Sequence, residues 1–153
     1  MHDEATLDDA RLTTLAAVLD TIIPPSPERG LPGAGELGLA PSVSGEIERT
    51  PALAALIATG LARIEHAAST ATGFAALEPE ARERLLREDA ATEAGFLRVL
   101  VPQTYVSYYE HPRVVEALGL EPRPPYPLGY SLEPGDPSLL DPVRQRPKLY
   151  RDC

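Results

Sequence analysis

The sequence predicts an all-α protein: a small irregular bundle of about five or six helices, followed by a long Pro-rich extended arm. Three observations carry that prediction. The 43% hydrophobic content leans on Ala and Leu, which favour helices over strands. Apolar residues recur at i, i+3, i+4 and i+7 through most of the first 119 positions, the stripe of a helix with one buried face. After Gly119 the composition changes: eight of the 34 residues from Leu120 to Cys153 are Pro, and no helical period continues. The division expected is therefore a helical domain over 1–119 and an arm over 120–153.

A first helix is read over 8–23, with Leu12, Leu15, Leu19, Ile22 and Ile23 on one face. Asp8 and Asp9 stand in its first turn, where carboxylates meet the positive end of the dipole. Pro24 and Pro25 stop it. The stretch SPERGLPGAGELGLAP reads as a Gly/Pro connector; it has no preceding strand and no Gly-Lys-Ser/Thr ending for phosphate contact. A short helix over 42–49 turns Val43 and Ile47 inward. Thr50-Pro51 is an N-cap signature, and the helix it opens runs to about Ala71. Leu53, Leu56, Ile57, Gly60, Leu61, Ile64, Ala67 and Ala68 form its stripe, making it the central core helix. Pro79 opens a charged helix whose Glu80, Arg84 and Glu88 suggest a solvated, salt-bridged face. From Thr92 a long helix carries Phe96, Val99, Leu100, Val106 and Tyr109, with a kink or break expected at Pro102. His111-Pro112 ends it, and a short helix closes on Gly119.

Six of the eight Phe and Tyr rings gather between Gly95 and Tyr130: Phe96, Tyr105, Tyr108, Tyr109, Tyr126 and Tyr130. Such rings bury much area and keep a polar tip, so they serve cores and interfaces. Pro-Pro-Tyr-Pro, Pro124 to Pro127, favours an extended polyproline form with backbone groups left to bind.

No catalytic constellation emerges. A formal charge of -9 argues against nucleic acid as a partner, which needs a basic patch. The three His residues are dispersed, without the Glu-x-x-His or turn-spaced pairs that hold metals in bundles. His66 reads as a helix-surface residue and His111 as a helix-end residue capping carbonyls. There is no Gly-x-Ser-x-Gly elbow. A single Cys, Cys153, excludes an internal disulfide. No apolar run reaches membrane-spanning length. The acidic N-terminus shows no hydrophobic export signal or twin-Arg pair. The residues favour a binding or structural subunit over an enzyme, with no catalytic, cofactor or metal residues assigned.

The order of LAAVLDTIIPPSPERGLPGAGELGLAPSV, GLARIEHAA, GFAALEPEARERLL and FLRVLVPQTYVSYYEHPRVVEALGLEPRPPYPLGY resembles the gluconate 2-dehydrogenase subunit 3 (small or gamma subunit) family, over roughly 12–130. That resemblance implies a non-catalytic partner of a large FAD-containing glucose-methanol-choline-type oxidoreductase acting on a sugar or sugar acid. It implies a heterodimer, and in some systems a cytochrome c in the wider complex. The FAD is expected on the partner and no cofactor on this chain. The family's twin-Arg signal is missing here, which favours a cytoplasmic location, or a periplasmic one if the partner carries the export signal. Partner contacts are expected at Phe96, Tyr105, Tyr108, Tyr109, His111, Pro125, Tyr126, Pro127 and Tyr130. Cys153 is read as an inert thiol, with a disulfide to the partner as the alternative in an oxidising compartment. The rival function is a stand-alone helical enzyme or ligand-binding protein with a pocket near Tyr105, Tyr108 and His111; a weaker one is an adaptor read through Pro-Pro-Tyr-Pro.

Overall fold

The computed structural model describes residues 7–69, 73–93, 95–124, 126–127, 129 and 134–147. Among them are seven α-helices and no strand: α1 Asp9–Ile22, α2 Ala40–Glu48, α3 Pro51–Ala67, α4 Pro79–Thr92, α5 Gly95–Glu110, α6 Pro112–Ala117 and α7 Asp141–Arg144. The chain divides into two compact units, Met1–Pro122 and Arg123–Cys153. The first holds α1 to α6. In the second, Pro137–Leu140 forms a 3₁₀ turn leading into α7. That turn and helix, three turns in all at most, interrupt a segment expected to be extended throughout. Asp136 caps it by accepting from the Ser138 amide at 3.0 Å, and Pro137 and Pro142 each occupy a first-turn position where the missing N–H costs nothing.

The helix boundaries follow local chemistry. Asp8 is the N-cap of α1, its carboxylate accepting from the Arg11 amide at 2.8 Å. Thr50 is the N-cap of α3 by position, but its side chain makes no capping bond; Pro51 supplies the start through its fixed φ instead. The α5 helix continues through Pro102 rather than breaking there. Pro102 is exposed, so its ring meets solvent and the bond lost is the one to the Arg98 carbonyl, on a residue that is itself exposed.

The core lies between α1, α2, α3 and α5. Leu15, Val18 and Leu19 of α1, Val43 of α2, Ile57, Leu61 and Ile64 of α3, and Phe96 and Leu100 of α5 are buried together. The stripe on α3 matches the sequence reading, except that Ala54 is inside while Ala67 is exposed. Gly60 is the point of closest approach. A Cβ built there would land inside the Phe96 ring, so only glycine lets that ring lie against the helix backbone. Burying a Phe side chain completely stabilises a fold by about 1.5–3 kcal/mol.

The ion pairs on α4 differ from the expected Glu80, Arg84 and Glu88 ladder. Arg87 pairs with Glu83 at 2.5 Å on the exposed face. Arg63 of α3 holds Asp89 of α4 through two parallel bonds of 2.6 and 2.9 Å. The Asp89 side chain is only 8% exposed, so this bidentate pair ties the charged helix to the core helix.

Substituting Gly60→Ala should lower stability by about 1–3 kcal/mol through overpacking against Phe96, despite alanine's better helix propensity. Urea unfolding of the two proteins measures this; an unchanged or higher midpoint would show that the ring swings aside freely.

Candidate functional site

The aromatic residues of α5 divide between two opposite faces. Phe96, Leu100, Thr104 and Tyr108 are four residues apart and all buried. Pro102, Tyr105, Val106 and Tyr109 follow i, i+3, i+4 and i+7, and at about 100° per residue they point the other way. Tyr105 is 45% exposed, Val106 54% and Tyr109 50%. The sequence reading listed Val106 and Tyr109 together with Phe96, Val99 and Leu100 as the apolar residues of this helix, without dividing its faces. The helix rotation set by Phe96 puts Val106 and Tyr109 outside. Phe96 and Tyr108, expected at a partner surface, instead belong to the core, at 0% and 2% exposure.

Tyr108 links the faces. Its hydroxyl donates to the Pro32 carbonyl at 2.9 Å, fixing α5 to the Gly/Pro loop, and burial pushes its pKa up. Its ring meets Tyr109 edge to face with centroids 5.2 Å apart, and Tyr109 in turn lies 6.1 Å from Tyr105 at a tilt of 30°. Both separations lie within the favourable range for aromatic pairs. A buried ring thus braces two exposed ones.

His111 opens α6. Its Nδ1 accepts from the Arg113 amide at 3.3 Å, so it caps donors at a helix start rather than the carbonyls expected at a helix end. Tyr126 and Pro127 lie in the second unit and are exposed; the expected contacts Pro125, Tyr130 and Cys153 lie outside the described residues. Tyr105, Tyr108 and His111 do not converge. One is on the outer face, one is in the core with its hydroxyl held by Pro32, and one is engaged at the start of α6.

The Gly/Pro segment, read from sequence as a plain connector, is a built structure. Asp20 of α1 reaches into it, one carboxylate oxygen accepting from the amides of Gly35 at 2.7 Å and Glu36 at 3.2 Å. The Glu36 carboxylate accepts from the Gly33 amide at 3.1 Å. A Cβ at Gly33 or Gly35 would collide with the Asp20 carboxylate, which explains both glycines. Ser26 and Leu31 exchange two backbone bonds of 2.8 and 3.1 Å, and Ala34 is fully buried. The available signal was the lone aspartate beside the apolar stripe of α1, one turn before a glycine-rich loop.

Burial raises the Asp20 pKa above its ordinary value. The amides of Glu36 and Gly35 pull it down, the Glu36 charge pushes it up and Arg82 opposes that push. Asp20, Glu36, Glu80, Arg82 and Glu83 surround an open cleft of about 630 Å³. Among the described residues, no group of three or more His, Cys, Asp or Glu is placed to hold a metal ion, and no helix is long and apolar enough to cross a membrane.

Residues 9–125 match the family described as Gluconate 2-dehydrogenase subunit 3. The chain belongs to that family. The match spans α1 through α6, the loop held by Asp20 and both faces of α5, and it ends just inside the second unit. As the family's description states, its members are numbered as a subunit of a dehydrogenase. No curated protein and no solved structure matches the chain.

Two outcomes test this geometry. Tyr108→Phe leaves the Pro32 carbonyl without its donor and should cost about 1–2 kcal/mol, read by chemical denaturation with an unchanged far-ultraviolet spectrum. Because the folded chain holds the Asp20 proton more tightly than the unfolded chain, this group favours folding most at acid pH, and that contribution is lost as pH rises through its elevated value. In Asp20→Asn the Oδ1 atom can still accept from both amides. Wild type should therefore be most stable relative to the variant at acid pH and lose ground toward neutrality. A constant difference across paired melting curves would remove Asp20 as the titrating group.

Proposed function

We propose that this chain is a non-catalytic small subunit that binds and stabilises a large FAD-dependent sugar or sugar-acid oxidoreductase of the glucose-methanol-choline type. The observation that carries the reading is the family match across α1 to α6, since the family is named as a subunit. The exposed tyrosine face of α5 supports it, because large aromatic surfaces without charge characterise interface cores.

Stabilisation needs no chemistry from this chain. A subunit that binds only the folded partner shifts the partner's folding equilibrium by mass action, by about 2.7 kcal/mol at a free concentration one hundred times Kd. The FAD and the hydride chemistry belong to the large subunit in this reading. In some systems of this kind a cytochrome c belongs to the wider complex. The location is cytoplasmic, or periplasmic where the partner brings the export signal.

A large FAD-dependent oxidoreductase is expected in a neighbouring reading frame. Expressed alone it should be insoluble or poor in FAD, and co-expression with this chain should restore soluble, flavin-loaded enzyme. Equal yield, flavin content and sugar-oxidising activity with and without this chain would exclude the stabilising role.

A further inference from the structure

We propose that the outward face of α5, built from Pro102, Tyr105, Val106 and Tyr109, is the surface on which an uncharged apolar face of the large dehydrogenase subunit docks; the inference rests on the accessory-subunit reading and assigns its contact site. Four residues at i, i+3, i+4 and i+7 make an apolar stripe with no charged member, and three of them are 45–54% exposed. A helix with apolar stripes on two opposite faces has buried only one of them in its own core. The second stripe is shaped for a helix-sized contact, with two tyrosines in its centre, the residue type enriched at binding hot spots.

The stripe is also preorganised. Tyr109 packs edge to face on buried Tyr108, and Tyr105 packs on Tyr109. Tyr108 is held at its far end by the Pro32 carbonyl. Rings already fixed lose little freedom on binding, so more of their contact energy appears as affinity. Pro102 adds a rigid, donor-free surface to the same stripe.

Charge decides between a second copy and a different protein. Each chain carries -9, so pairing two copies brings like-charged bodies together, and the single exposed cation on that side of the helix, Arg98 one turn before Pro102, offsets little of it. A different protein with little negative charge of its own avoids that penalty. The acidic cleft beside Asp20 is a weaker candidate, because the Asp20 and Glu36 carboxylates already accept from loop amides.

The experiment uses the full chain co-purified with the flavin-dependent oxidoreductase from its neighbouring reading frame. Tyr105→Ser, Tyr109→Ser and the double variant are compared with Leu139→Ser/Leu140→Ser, which alters exposed leucines of the second unit. Each single tyrosine variant should weaken the complex by about tenfold or more, the double variant should abolish co-purification, and the leucine variant should bind like wild type. Melting curves of the isolated variants should match wild type, since the altered side chains are exposed; Val106→Ser provides a milder third readout. Equal binding by wild type and the double variant overturns the assignment while leaving the accessory role intact. A wild-type dimer that the double variant converts to monomer also overturns it, in favour of a second copy. If wild type captures no flavoprotein, the accessory role falls and this assignment falls with it.

Discussion

The contact between Phe96 and Gly60 sets the geometry on which the rest depends. A ring can lie against the backbone of α3 only where a side chain is missing, and Gly60 is that place. Once Phe96 is seated there, the rotation of α5 about its own axis is fixed, because residues along a helix keep constant angular offsets. Leu100, Thr104 and Tyr108 must then follow inward. Tyr105, Val106 and Tyr109 must face outward. One glycine on one helix thereby selects which face of another helix the protein shows to its surroundings.

A second set of constraints acts at the other end of the same helix. The Gly/Pro loop is held from beneath by Asp20 and from within by Glu36, and its Pro32 carbonyl receives the Tyr108 hydroxyl. The ordering of α1, the loop and the C-terminal half of α5 is therefore shared. The half-buried Asp20 carboxylate is unfavourable in isolation, but two amide donors offset that cost and convert a flexible segment into a platform.

Much of the helical body was legible from periodicity. The α3 stripe, Val43 and Ile47 in α2, and the stops at Pro24 and His111-Pro112 all follow from local rules. At Pro102 the local rule pointed to a kink or break, but α5 continues through it with the ring exposed. The candidate face was harder to read. Both sides of α5 are apolar, so periodicity alone offers two solutions, and only the tertiary contact with Gly60 chooses between them. The expected partner contacts accordingly take rings from both faces, the buried Phe96 and Tyr108 beside the exposed Tyr105 and Tyr109. The hold of Asp20 on a loop 15 residues away and the pairing of Arg63 with Asp89, 26 residues apart, are non-local bonds that spacing does not encode. The family resemblance could be read from ordered blocks because the Gly/Pro loop and the Tyr-Tyr-Glu-His-Pro junction are each tied to a specific structural task.

Pro102 has a consequence for direction. An apolar stripe attracts without orientation, since the hydrophobic effect has no preferred angle, and a partner could slide along it by a turn at small cost. Pro102 lies inside α5 and has no N–H to give the Arg98 carbonyl, so the usual helical donor is missing near the N-terminal end of the stripe. A polar mark at one end of an oily strip distinguishes head from tail. A surface that laid a donor at that end would favour one direction and one register over the others.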